Sequence, residues 1–209
     1  MKEMYEELQA WEKNEGRVLF EKMHWRKDAK VLDYGCGYGH YSIALARTLN
    51  EMGRVYAVDT NKACLKELQQ KIESEGLKNI EVRQGHKDFH LEFEDTYFDV
   101  VLYYDILHGG DGSHKKKLLE EAGRVLKSNA TLSVLPFHLS NFRDNEGNKK
   151  KYSYAQLIHE IEGYGYELIR EESIEGINFE KCHSSYQLSK GKVELEGLER
   201  AEILNFMKL

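Results

Sequence analysis

The sequence predicts an α/β protein: a mostly parallel sheet with helices on both faces. Three observations carry that prediction. Short runs rich in β-branched and aromatic residues alternate with stretches whose apolar residues recur at helical spacing. The run FDVVLYY, Phe98–Tyr104, is apolar almost throughout, as a parallel strand covered on both faces would be. No linker, repeat or low-complexity tract interrupts the alternation, and strands joined regularly through helices imply right-handed crossovers.

Lys30 to Tyr34 is the first strand, ending at a glycine-rich turn. A helix follows from about Tyr41 to Met52, burying Ile43, Leu45, Ala46 and Leu49, with Gly53 as its stop. Arg54 to Val58 is the second strand, and Asn61 caps a helix through Leu65, Leu68 and Ile72 that Gly76 ends. Asn79 to Gln84 and Phe98 to Tyr104 are the third and fourth strands. Ser113 is placed to cap a helix carrying Leu118, Leu119, Ala122, Val125 and Leu126 on one face. Thr131 to Leu135 is a fifth strand, Ser153 with Gln156 forms a capping box, Tyr166 to Arg170 is a sixth strand and Ala201 to Met207 the last. The expected organisation is one domain over residues 1–209, with residues 1–28 as an N-terminal helical cap.

The 209 residues suit one domain of ordinary size. Hydrophobic residues make up 41% and charged residues 32%, which is globular composition, and the formal net charge of −6 argues against nucleic acid as the main partner. Three cysteines without CxxC spacing fit a reducing compartment better than a disulfide framework. The charged start MKEMYEELQAWEKNEG is no signal peptide, and no apolar run approaches the roughly 20 residues of a membrane helix. The expectation is a cytoplasmic protein with no membrane contact; nothing in the sequence indicates its oligomeric state.

The stretch VLDYGCGYGHYS places Gly35, Gly37 and Gly39 between the first strand and the helix after it. Such a turn exposes backbone N–H groups, and glycines let it bend sharply and let a ligand approach. Asp59 ends the second strand about twenty residues further on, where an acid accepts hydrogen bonds from ribose hydroxyls. Alone, each feature is equally consistent with an ordinary turn; together they point to a nucleoside-containing cofactor. A dinucleotide fingerprint, GxGxxG, would need glycine at position 40, where His40 stands. Asp33, two residues before the first glycine, would repel a pyrophosphate but attract an ammonium group. S-adenosylmethionine (SAM) combines an amino-acid end with a nucleoside.

VLDYGCGYG, then VYAVD, then FDVVLYYDILH, then a helix ending in GRVLK, resembles in order the class I SAM-dependent methyltransferases of the UbiE-like, type 11 group, over about residues 30–136. The resemblance implies a Rossmann-like, doubly wound, mostly parallel seven-stranded sheet with an antiparallel last strand. It implies that residues 35 to 39, Cys36 included, wrap the methionine end of SAM, with Asp33 near the amino group. Asp59 would hold the ribose hydroxyls, Thr60 flank the adenine, and Tyr104 contribute backbone beside the cofactor. The family usually has an acid directly after a glycine beyond the third strand; here His86 follows Gly85 and the nearest acid is Asp88. Either Asp88 reaches the adenine amino group, or backbone near His86 and Lys87 does. The family's proline and glycines before the fifth strand are replaced by Ser128, Asn129 and Ala130.

Methyl transfer from a sulfonium is an in-line displacement with a good leaving group, so the protein contributes alignment and, for some acceptors, a base. Asp105 and His108 emerge from the fourth strand, and His108 is the expected base. A purely structural role for His108 is about as well supported. His138, after the fifth strand, is placed to line an acceptor pocket or to pack its loop. Cys36 reads as a small packed residue rather than a nucleophile, and Trp11, Phe20 and Trp25 as packing more than a lid. No HxH, HExxH or cysteine cluster suggests a metal. YYDILH lacks the Pro-Pro-aromatic run of enzymes that methylate base amines, so a small-molecule acceptor is expected. Two other readings stay open: a nicotinamide-dependent oxidoreductase on the same topology, and a SAM-binding protein without catalysis.

Overall fold

The computed structural model describes residues 2–108, 113–139, 142, 148, 150–178 and 197–209. In chain order the elements are α1 (Lys2–Lys13), α2 (Glu15–Lys22), β1 (Lys30–Tyr34), α3 (His40–Ala46), β2 (Arg54–Asp59), α4 (Lys62–Glu75), β3 (Ile80–Gln84), β4 (Phe98–Tyr104), α5 (His114–Val125), β5 (Leu126–Leu135), α6 (Tyr154–Glu162), β6 (Tyr166–Asn178) and β7 (Gly197–Lys208). The strand order is β3-β2-β1-β4-β5-β7-β6. The pairs β1–β2, β2–β3 and β4–β5 are parallel, and β7 runs antiparallel to β5. This is the seven-stranded mixed sheet that the resemblance implies. Among the described residues no helix is long and apolar enough to cross a membrane.

Two compact units make up the chain: Met1–Gln84 with Ile174–Arg200, and Gly85–Ser173 with Ala201–Leu209. In the first, Ile43 of α3, Ala57 of β2 and Leu65, Leu68 and Ile72 of α4 share a core with Cys36. The α4 residues fall at three- and four-residue spacing, so one stripe of the helix is apolar. Asn61 caps α4 by accepting the Ala63 N–H at 3.0 Å, and Gly76 closes it in the left-handed conformation (φ 66°). Both ends follow the sequence expectation.

The helix expected over 41–52 is shorter. It ends at Ala46, with Arg47 as its C-cap. The side chain of Asn50 accepts the N–H groups of Met52 and Gly53, an alternative to helical bonding that asparagine readily offers the backbone. Gly53 is then no helix stop. A Cβ there would lie 2.6 Å from the Lys27 carbonyl, so glycine is needed for a close backbone crossing. The aromatics of the first helices pack internally. Trp11 is buried, donates through Nε1 to the Glu175 carbonyl at 2.9 Å, and meets the Tyr41 ring edge-on at 5.2 Å between centroids.

In the second unit β4 is buried along nearly its whole length, and Leu118, Leu119, Ala122 and Val125 form the buried stripe of α5. Leu126 belongs to β5, which begins five residues before the expected Thr131. The β4–β5 register shifts between Phe98 and Val100, and Asn129 takes φ 59°. Asparagine tolerates the left-handed conformation, so the chain makes this turn without a glycine. Ser113 occupies the N-cap position but does not cap: its backbone is helical (φ −88°, ψ −12°) rather than extended. The Ser153–Gln156 box forms as expected, the Gln156 N–H donating to Ser153 Oγ at 3.2 Å and the Ser153 N–H to Gln156 Oε1 at 2.9 Å. β6 and β7 both extend well beyond the expected residues.

Candidate functional site

All three glycines of the turn need their freedom: φ is 80° at Gly35, 52° at Gly37 and 77° at Gly39. The turn nevertheless differs from the open N–H cradle expected from sequence. Gly35 and Cys36 donate their N–H groups to the Val58 carbonyl at 2.7 and 3.1 Å, and Gly39 donates to the Cys36 carbonyl at 2.8 Å. Gly37 donates to Asp59 Oδ2, also at 2.8 Å. Four amides that could have faced an anion are satisfied inside the chain: three by acceptors at the end of β2, Val58 and Asp59, and the fourth within the turn itself.

Two carboxylates accompany these amides. Asp59 accepts the Asn61 N–H through Oδ1 at 2.7 Å, and the exposed Thr60 follows it. Asp33 is buried beneath the turn and accepts from Ser42 Oγ at 2.5 Å. Burial pushes its carboxyl up to about 6; the Asp59 charge acts the same way and the Ser42 hydrogen bonds oppose it. Cys36 packs in the core, and burial, with Asp33 and Asp59 adding to it, pushes its thiol up. That makes it a poor nucleophile and supports the packing reading.

His40, in the place of a third dinucleotide glycine, turns toward α1. Its Nδ1 lies 2.5 Å from Glu12 Oε1, which also takes Lys71 Nζ at 2.5 Å. Glu12 is fully buried, and its Oε2 has no partner among the described residues. Burial alone would raise its carboxyl, but His40 and Lys71 outweigh that and hold it below the usual range. Nothing local in the sequence marks this triad, since its members stand 28 and 59 residues apart from Glu12.

The other unit holds the remaining expected residues. His86, Lys87 and Asp88 are exposed; His86 pairs with Glu92 at 3.4 Å, and Asp88 accepts the His90 N–H at 3.3 Å. Tyr104 is buried, its hydroxyl 3.1 Å from Ser133 Oγ. Asp105, directly after β4, takes φ 58° and donates its N–H to the Leu135 carbonyl at 2.7 Å. Its Oδ1 lies 2.5 Å from His138 Nδ1 and 3.3 Å from His108 Nδ1, and the two imidazole rings lie 4.5 Å apart. Both the expected Asp105–His108 pair and His138 are therefore in one cluster, with His138 the tighter partner. The signal for His138 was its position just beyond a strand end, where α/β proteins gather their polar groups.

A family model described as a methyltransferase domain matches residues 26–187. Over 124 residues the chain is 32% identical to a demethylmenaquinone methyltransferase of Bacillus cereus, covering 59% of this chain and 49% of that protein. The chain thus spans about half the length of the curated relatives it matches. Among solved structures it superposes on a SAM-dependent methyltransferase from Aquifex aeolicus with a TM-score of 0.68 and 21% identity, covering 95% of this chain and 92% of that one. The YcgJ protein of Bacillus subtilis gives 0.62 and 17%, over 91% and 96%. With the matched domain model covering most of the chain and the sheet in the seven-stranded order β3-β2-β1-β4-β5-β7-β6, the chain belongs to the class I SAM-dependent methyltransferase family.

Proposed function

We propose that the chain transfers a methyl group from SAM to a small-molecule acceptor. The single observation that carries the cofactor side is the balance of groups at the glycine turn. Four amide donors are internally satisfied while two carboxylates, Asp33 and Asp59, sit beneath the turn. That arrangement suits a cation and disfavours the pyrophosphate of a dinucleotide, which depends on amide donors and the helix dipole. The residues present fit SAM. Residues 35 to 39 wrap its methionine end, and Asp33 faces the ammonium group. Asp59 retains a lone pair on each oxygen for the ribose hydroxyls. Thr60 flanks the adenine.

SAM supplies a methyl group on a positively charged sulfur, so the chain's own work is to hold and align. Asp105 and His108 serve the acceptor side: His108 accepts the acceptor's proton, and Asp105 orients the imidazole. The acidic net charge and the missing Pro-Pro-aromatic run support a small molecule over nucleic acid. So does the small-molecule acceptor named for the matched Bacillus relatives. The buried, reduced Cys36 and Cys64 support a cytoplasmic setting.

The test is transfer of labelled methyl from SAM into a fractionated metabolite extract. A labelled low-molecular-weight product is expected; SAM binding with no labelled product from any fraction would contradict catalysis.

A further inference from the structure

We propose that Asp105, His108 and His138 form a binding site for one divalent first-row transition cation. Each residue offers one donor atom, and the three donors lie within 4.8 Å of one another. Two imidazole nitrogens and one carboxylate oxygen match the donor sets that zinc and its neighbours favour, whereas calcium and magnesium prefer oxygen alone. The two distances from Asp105 are close to those an ion would set. Nitrogen and oxygen ligands held about 2.0–2.1 Å from a tetrahedral ion lie about 3.3 Å from each other. Asp105 Oδ1 and His108 Nδ1 are already 3.3 Å apart, and the 2.5 Å contact to His138 has to open by less than about an ångström to match.

The alternative, a carboxylate that merely orients one histidine, leaves the second ring unexplained. Both rings turn Nδ1, not Nε2, toward the same carboxylate oxygen. A single aspartate needs only one such partner to set a tautomer, whereas convergence of three donors on one point is what an ion requires. Asp105 is held for this in a left-handed conformation uncommon for a residue with a Cβ, and its N–H is tied to Leu135. All three side chains are mostly buried, at 9%, 28% and 6% exposure for Asp105, His108 and His138. Pattern searches miss the set because two donors stand three residues apart after β4 and the third follows β5.

Three protein ligands leave at least one coordination position open. That position takes water or an oxygen of the methyl acceptor, which the ion would polarise. With the ion bound, His108 holds metal rather than the acceptor's proton. The site itself does not rest on the methyl-transfer reading, since all its donors lie in the Gly85–Ser173 unit.

The experiment is titration of the chelator-stripped full chain with Co²⁺, followed by visible absorption and by competition with Zn²⁺. One Co²⁺ per chain is expected, with the absorption of a low-coordinate cobalt–imidazole site and displacement by Zn²⁺. His138→Gln and, at the more exposed position, His108→Gln should each weaken Co²⁺ binding by about tenfold or more. Circular dichroism checks that each variant remains folded. No cobalt absorption, or absorption that neither variant reduces, overturns the site. SAM binding, measured separately on the unmodified chain, tests the cofactor reading, so the two can fail independently.

Discussion

The Gly37 amide donates to the Asp59 carboxylate at 2.8 Å, tying the middle of the glycine turn to the end of β2. Asp59 is thereby fixed by two amides, those of Gly37 and Asn61, before any ligand arrives. Asp59→Ala removes both the proposed ribose contact and this tether. SAM affinity should fall by about 1–3 kcal/mol, roughly five- to 150-fold, in calorimetric titration. An unchanged affinity would show that the ribose is held elsewhere.

Gly39→Ala tests whether the turn's geometry is sterically required. The residue sits at φ 77°, and an added Cβ would lie 2.3 Å from Leu68 Cδ1. The left-handed conformation costs roughly 1–2 kcal/mol and overpacking a further 1–3. The control is Gly76→Ala, at φ 66° with nothing within 4 Å of the added atom. Urea denaturation should show Gly39→Ala as the more destabilising by the overpacking cost. Equal losses would mean that Leu68 yields freely.

Asp33 makes stability and ligand binding respond to pH in opposite directions. Its folded pKa of about 6 lies above the unfolded value near 4, so its stabilising contribution is complete below pH about 4. It is lost as pH rises through about 6. The ligand-free protein should lose on the order of 2–3 kcal/mol from this group across that window. Asp33→Asn should flatten that part of the profile in urea melts at pH 5 and 7.5, while weakening SAM. SAM affinity of the unmodified chain should rise over the same window, as a carboxylate forms opposite the ammonium. A SAM affinity independent of pH between 5 and 7 would remove Asp33 from the site.

Glu12 is the fully buried member of a triad with His40 and Lys71, within the unit that carries the glycine turn. Removing one partner of a buried ion pair strands the others. Glu12→Ala should therefore destabilise the chain by roughly 3–5 kcal/mol in equilibrium denaturation. A loss below about 0.5 kcal/mol would show that water replaces the carboxylate.

The order of strands and helices was legible because it rests on local periodicity: the α4 stripe of Leu65, Leu68 and Ile72, and the apolar β4. Caps read equally well where one side chain decides, as at Asn61 and the Ser153–Gln156 pair. The misreadings arose where side chains compete. Asn50 draws the backbone out of helix α3 early, and a helical backbone at Ser113 denies its hydroxyl the capping geometry. Within the site, the glycines and Asp59 were visible from spacing, but the internal use of the turn's amides was not. That depends on Val58 lying under the turn. Glu12 with His40, and Asp105 with His138, pair residues 28 and 33 apart, a distance over which sequence alone carries no register.

Calorimetric titration of the chain with SAM and, in parallel, with NAD and NADP decides which cofactor the glycine turn holds. SAM should bind at one per chain, with no heat from either dinucleotide. Binding of NAD or NADP in the micromolar range with none of SAM would contradict the SAM reading.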